Sequence, residues 1–362
     1  MLQNITFEIM NFPLEQNLPI QLLASCFNNT SATYKFYWLL SILDEVENSQ
    51  TTITKHRLFT KMVTNAWYTV NYFKLSFGKQ DLIHDAVEKI RDIENLTIDL
   101  RRETLNSIIE NTPNNHIRTI LNHFDKNVPH RFLTPWFPKL SGETDSHLKK
   151  RIYESSSIFK NDALYALYKS EIIINPKWVH YLQKNAKLIK DFCYWNLALF
   201  LQSRNPNVPD IPNKLIKPAT RNPLTDQRNK YWKNVFQHDG FVECIFTNEK
   251  LYLNDNNFAL DHFIPHAFVS HDLIWNLIPI NLNFNSRKSD KLPLMAKHFD
   301  KFYSLQKHAF EINKSINPKS KYMEEFLTIF PTENDFPKNK FKDTIQPLIT
   351  IAHNNGFAFL NE

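Results

Sequence analysis

Apolar residues recur at spacings of three and four through Met62, Val63, Ala66, Trp67, Val70, Phe73 and Phe77, which predicts an amphipathic helix. Leu82, Ile83, Ala86, Val87, Ile90 and Ile93 repeat the pattern and predict the next one. Tyr34 to Leu43 is apolar almost all round and follows the cap-like Asn29, Thr30 and Ser31, so it predicts a central buried helix. Its Phe36, Tyr37 and Trp38 are assigned to core packing rather than to base stacking, because aromatics between apolar helical neighbours usually bury there. Pro129, Pro135 and Pro138 mark a loop, Asp162 to Tyr168 reads as a further helical stretch, and Trp178 to Leu201 as one or two more. From Asn205 to Thr225 come Pro206, Pro209, Pro212, Pro218 and Pro223, a density that predicts an extended linker. Short strand-like runs and turns continue to Pro293. The tail from Leu294 to Glu362 reads as helical again, with Phe299, Phe302, Tyr303 and Leu305 in one amphipathic stretch. No internal repeat or low-complexity tract interrupts this order.

Composition narrows the function classes. With 42% hydrophobic and 14% aromatic residues the chain has ample material for a core, which excludes a disordered chain. Its four glycines, Gly78, Gly142, Gly240 and Gly356, are far apart. A phosphate-cradling P-loop and a dinucleotide fingerprint both need clustered glycines, so Walker-type ATPases and Rossmann dehydrogenases are excluded. Cys26, Cys193 and Cys244 form no Cys-x-x-Cys pair, so neither a zinc ribbon nor a disulfide framework is expected, and a reducing, cytoplasmic setting is. The opening MLQNITFEIMNF does not read as a secretory signal, and no apolar run reaches the roughly 18 to 20 residues of a membrane span. The net charge of +6 is compatible with nucleic acid, although clustering of basic groups matters more than their sum.

Candidate chemistry concentrates between Cys244 and Pro293. Phe258, Ala259 and Leu260 lead into Asp261 and His262, followed by Ile264 and Pro265, so a strand delivers an acid and an imidazole to its end. Neighbouring strand residues point to opposite faces, yet both can reach one site where the chain turns. Asn276 stands between Trp275 and Leu277, with Ile278 and Ile280 predicting a second strand. Asn285, Ser286, Arg287 and Lys288 open a short helix. Singly, His262 at a strand end would more often be structural, and Asp261 a turn residue.

Together, Asp-His, then Asn276, then Asn285 with Lys288 three residues later resemble the HNH endonuclease family, the His-Me finger nucleases with a ββα-metal motif. The resemblance covers roughly 70 of the 362 residues and does not extend to a RuvC-type companion. It implies His262 as the general base, Asp261 and Asn285 as ligands of a single Mg²⁺ or Mn²⁺, and Asn276 as the brace of the histidine loop. It also implies Lys288 beside the scissile phosphate, with Arg287 and Lys291 on flanking phosphates. Asn285 stands where many members have His, and the paired Cys motifs for structural zinc are missing, so no structural zinc is expected. His266 and His271 read as exposed loop histidines in preference to members of the site, and Asp272 as a turn residue or a hydrogen-bond partner in the site's surroundings.

The expected architecture is mainly α with a small α+β module: a helical domain over 1–204, a Pro-rich linker over 205–225, a ββα-metal HNH module over 226–297 and a helical tail over 298–362 packing on it. The expected activity is metal-dependent endonucleolytic cleavage of DNA, with RNA kept open, in a bacterial defence effector whose helical domain senses a partner or ligand. A homodimer would supply the second active site for a double-strand break. The rival reading is an inactive nucleic-acid-binding or interaction protein with an HNH fold.

Overall fold

The computed structural model describes residues 12–15, 17–216, 223–255, 257–332 and 336–361. The opening residues 1–11 and Pro218 of the proline-rich stretch lie outside the described residues. Among the described residues the fold is mainly helical with three small antiparallel sheets, and the chain divides into two compact units, Met1–Asn205 and Pro206–Glu362. Among the described residues no helix is long and apolar enough to cross a membrane.

In the first unit the Tyr34–Glu47 helix is buried from Phe36 to Leu43 and packs against the Lys55–Asn71 and Pro176–Arg204 helices. Apolar residues on nearly every face are what allow it a central place. Trp38 and Tyr165 are fully buried together. Trp38 Nε1 donates to the Tyr165 hydroxyl at 3.0 Å, and that hydroxyl donates to the Pro129 carbonyl at 2.5 Å, so the core aromatics keep their polar ends satisfied. Asn29 to Ser31 do not cap the helix. The helix starts after Thr33, whose amide donates to Asp81 Oδ2 at 2.5 Å, while Asp81 Oδ1 caps its own Leu82–Ile93 helix through the Ile83 amide at 2.9 Å. One buried carboxylate thereby serves two helix starts.

Two local expectations are corrected. The stretch from Asp162 to Tyr168 is not helical: Tyr165–Leu167 is a strand, paired antiparallel with Glu171–Ile174, which also pairs with Thr52–Thr54. Asn161 and Asp162 adopt positive φ of 59° and 49°, and the Tyr168 amide accepts no helical role but donates to the Glu171 carbonyl at 2.9 Å, closing a hairpin. The loop expected around Pro129 contains the short Val128–Phe132 helix, because proline in a first turn loses no helical hydrogen bond. Trp178 to Leu201 falls in one continuous helix, Pro176–Arg204, capped by the Asn175 side chain on the Lys177 amide.

In the second unit the stretch expected to be an extended linker holds the Ile211–Ile216 helix, with Val208, Ile211 and Lys214 buried. Pro212 sits in its first turn, where proline is tolerated, and the apolar residues between the prolines supply the packing. After the Lys233–Asp239 helix come a Val242–Glu243/Lys250–Leu251 hairpin, the Phe258–His262 strand paired antiparallel with Leu277–Asn281, and the Leu282–Lys288 helix. The Met295–Ile316 and Lys338–Asn354 helices follow and complete the core. Phe263, the residue after His262, stacks on Phe302 with centroids 3.8 Å apart and planes 4° from parallel, and Phe341 lies 5.2 Å from Phe302.

His130, in the Val128–Phe132 helix, is 6% exposed, and burial followed by the charges of Lys149 and Arg131 pushes its pKa down to about 4. The unfolded chain takes up this proton near the ordinary histidine value of about 6.5, so it binds more protons than the folded chain between the two values. We therefore predict that the first unit is fully stabilised by this group above about pH 6.5 and loses that stability as pH falls toward 4. Urea unfolding of wild type and His130→Gln across that range should show the stability difference between them shrinking toward acid. A pH-independent difference would contradict it.

Candidate active site

The Phe258–His262 strand runs from a buried phenylalanine to a buried acid–imidazole pair. Its register with the second strand sets Asp261 opposite Ile278 and His262 opposite Leu277. Past His262 the chain leaves the sheet under the control of Asn276, which is fully buried. The Asn276 Oδ1 accepts from the Ile264 amide at 2.8 Å, its Nδ2 donates to the Ile264 carbonyl at 2.9 Å, and its backbone carbonyl accepts from the Phe263 amide at 2.7 Å. A side-chain amide is here a substitute for a strand neighbour, and it braces the loop that carries the histidine.

His262 is 3% exposed, and its Nε2 lies 3.0 Å from Asp272 Oδ1. An ionised carboxylate can only accept, so this contact places the proton on Nε2 and leaves the lone pair on Nδ1. Asp272 is thus a direct partner of the imidazole. His266 Nε2 stands 3.9 Å from the same carboxylate oxygen, and the His262 and His266 rings are 5.1 Å apart. Neither His266 nor His271 is the exposed loop residue expected. His266 begins the His266–Val269 helix with only 14% of its side chain exposed, and His271 is half-buried with its ring against Trp275 at 5.3 Å. Burial, and then the charges of His262, Lys214 and His266, push the His271 pKa down to about 4. A neutral imidazole there adds no positive charge beside His262 at neutral pH.

Asp261 is 3% exposed, and its Oδ2 accepts from Lys288 Nζ at 2.7 Å. The same ammonium donates to the His262 carbonyl at 2.7 Å. Lys288 is fully buried, which corrects the expectation that it reaches the scissile phosphate: its charge is spent inside the fold on Asp261 and the strand end. Asn285 is half-buried and lies inside the Leu282–Lys288 helix rather than opening it; the helix is capped by Asn281, whose side chain accepts from the Phe284 amide at 3.0 Å. Asn285 and Lys288, three apart, share one face of that helix. Since Lys288 meets Asp261, that face is turned to the strand. Arg287 is exposed beside Phe284 and Lys291 is half-exposed. The carboxylate of Asp261 and the amide oxygen of Asn285 make an all-oxygen donor pair, a chemistry that fits a hard divalent cation such as Mg²⁺ or Mn²⁺.

Several supports were hidden in the sequence because they arrive from the tail. Gln306 Nε2 donates to the Leu277 carbonyl at 2.8 Å, Glu325 Oε2 accepts from the Ile274 amide at 2.5 Å, and Trp275 Nε1 donates to Thr328 Oγ1 at 3.1 Å. Lys214 was missed as well, and its Nζ donates to the Pro209 carbonyl at 2.5 Å. Burial pushes its pKa down to about 7 against the pull of Asp210.

Two short antiparallel strands, a braced loop and a following helix, with an acid–imidazole pair at the first strand's end, define a ββα module of the nuclease type. The family model for HNH endonucleases matches residues 244–294, which hold Asp261, His262, Asp272, Asn276, Asn285 and Lys288, and this segment belongs to that family. Neither a curated protein nor a solved structure matches the chain.

Two predictions follow from the buried bonds. Replacing Asn276 with Ala leaves two Ile264 backbone groups unpaired, a cost of about 2 to 6 kcal/mol at about 1 to 3 per group, and hydrogen exchange of the Ile264 amide should accelerate accordingly. Lys288→Met should destabilise the second unit by about 3 to 5 kcal/mol by stranding the Asp261 charge. The double variant Asp261→Asn, Lys288→Met should recover part of that loss in urea unfolding, and strictly additive losses would show that the two side chains are not coupled.

Proposed function

We propose that the Pro206–Glu362 unit is a metal-dependent endonuclease that hydrolyses DNA phosphodiester bonds. The observation that carries this reading is the His262–Asp272 pair, which presents Nδ1 as a base from a loop braced by Asn276 in a segment of the HNH family. His262 Nδ1 takes a proton from water as the water oxygen bonds to phosphorus, and the bond from phosphorus to the leaving sugar oxygen breaks, that oxygen taking its proton from solvent. Asp272 keeps the imidazole in the required tautomer and stabilises the imidazolium that forms. Asp261 and Asn285 would hold Mg²⁺ or Mn²⁺, which supplies charge stabilisation to the phosphate and leaving oxygens. Arg287 and Lys291 hold flanking phosphates; Lys288 does not, being committed to Asp261.

A second reading, a nucleic-acid-binding protein without cleavage, has one observation in its favour: the Asp261 carboxylate already carries an ammonium partner. The bacterial defence role and the regulatory part of the helical unit belong to the proposal too, and rest on the division into two units. Three buried, unpaired cysteines agree with a cytoplasmic setting.

The test is incubation of supercoiled plasmid with Mg²⁺, Mn²⁺ or EDTA, with RNA alongside, comparing wild type with His262→Ala and Asp272→Asn. We expect metal-dependent nicking of DNA, a fall of about 10²- to 10⁴-fold in His262→Ala, and a smaller fall in Asp272→Asn. Plasmid binding without cleavage under either metal would favour the second reading. Equal rates in wild type and His262→Ala would remove the assigned base.

A further inference from the structure

A second cluster of donor atoms lies apart from the residues just assigned. His238 and Asp239 end the Lys233–Asp239 helix, where Gly240, at φ +80°, turns the chain toward the Val242–Glu243 strand. His308 stands on the Met295–Ile316 helix, off the face formed by the buried Phe302, Gln306, Ala309 and Phe310. The Asp239 carboxylate receives one imidazole on each oxygen: His238 Nδ1 lies 2.7 Å from Oδ1 and His308 Nε2 lies 2.8 Å from Oδ2. The ligand-capable atoms of all three residues fall within 4.8 Å of one another. Four ligands around zinc at bond lengths of about 2.0 to 2.1 Å are spaced by roughly 3.4 Å, so small side-chain adjustments close this set on one ion.

Hydrogen bonding alone would give a plain surface cluster, since all three residues are exposed. Two features favour a ligand. The imidazoles converge on one carboxylate from two different helices. The cluster also borders a cleft of about 360 Å³ lined by Asp239, His308, Glu243 and Lys301, which leaves space for a water or an outside group as a fourth ligand.

We propose that His238, Asp239 and His308 bind one zinc-class divalent transition metal, which ties the helix before the ββα segment to the helix after it. Two nitrogen donors with one carboxylate favour zinc, cobalt or nickel over magnesium. This separates the site chemically from the oxygen donors Asp261 and Asn285. Where Cys244 stands alone and buried, histidines supply the staple that sulfur cannot. The site joins segments whose packing positions the nuclease loop, so its role is structural.

The test uses the full chain without a histidine tag, stripped with EDTA, dialysed, and titrated with Zn²⁺ in excess Mg²⁺. Bound zinc is counted by equilibrium dialysis, and thermal unfolding is followed in parallel. Wild type and Asn285→Ala should each bind one zinc equivalent that His308→Asn lacks. Zinc at about 100-fold over its dissociation constant should raise the second unit's unfolding temperature by roughly 5 °C in wild type, with no rise in His308→Asn. His308→Cys should keep the site and, with Co²⁺, add a sulfur-to-cobalt charge-transfer absorption. Equal zinc binding and equal thermal shift in wild type and His308→Asn would overturn the proposal. Should His308→Asn fail to fold, the His308→Cys arm decides, and a cobalt spectrum without the sulfur band would overturn it.

Discussion

The amide of Asn276 closes a loop that the sheet itself cannot hold. The two strands end at the His262–Leu277 pair, and beyond it the Ile264 amide and carbonyl would be buried without partners. Asn276 answers both at once, so the loop leaves the sheet at a fixed angle. Register depends on this. A slip by one residue would exchange the faces of Asp261 and His262, sending the acid to the loop and the imidazole to the helix. Phe263 on Phe302, and Gln306 on the Leu277 carbonyl, carry the same constraint into the tail. The segment that matches the family is thus completed by helices outside it, and the second unit behaves as a whole.

Two hydrogen-bonded pairs, one acid with an imidazole and one acid with an ammonium, then lie on opposite sides of one strand end. On one side Asp272 sets the tautomer of His262; on the other Lys288 neutralises Asp261 and ties the helix to the His262 carbonyl. Each pair is buried or nearly so, where an unpartnered charge would cost several kcal/mol. The arrangement separates the two acids: one meets an imidazole, the other an ammonium. The neutral His271 keeps a third imidazole from adding charge to this cluster.

Much of this was legible in the chain because it is local. The three- and four-residue spacing that placed Met62 to Phe77 and Leu82 to Ile93 on helices holds as far as Val70 in the first, which ends at Asn71, and throughout the second; it reflects a single face meeting a core, and Asp-His at the end of an apolar run marks a strand end. Asn276 was expected as a brace only through the resemblance to the HNH family. What escaped was decided by partners distant in sequence. Asp162 to Tyr168 is apolar at both spacings, and its pairing with Glu171–Ile174, with positive φ at Asn161 and Asp162, makes it a strand. Thr33 is capped by a residue 48 positions away. Lys288 was expected beside the scissile phosphate until the strand opposite supplied a buried carboxylate, and His238 carried no signal until His308 came beside it on another helix.

The Lys288 ammonium also bears on how a cation can share the Asp261 side chain. An ionised carboxylate offers about four lone-pair sites, and Lys288 takes one of those on Asp261 Oδ2. Two like charges on one carboxylate nevertheless repel, more strongly in a buried setting than in water. Lys288 holds a second acceptor, the His262 carbonyl, on which it can rest with less of its weight on Asp261. Its helix also carries Asn285. Any shift of charge at Asp261 is therefore felt by the Leu282–Lys288 helix and by the His262 backbone, through one lysine.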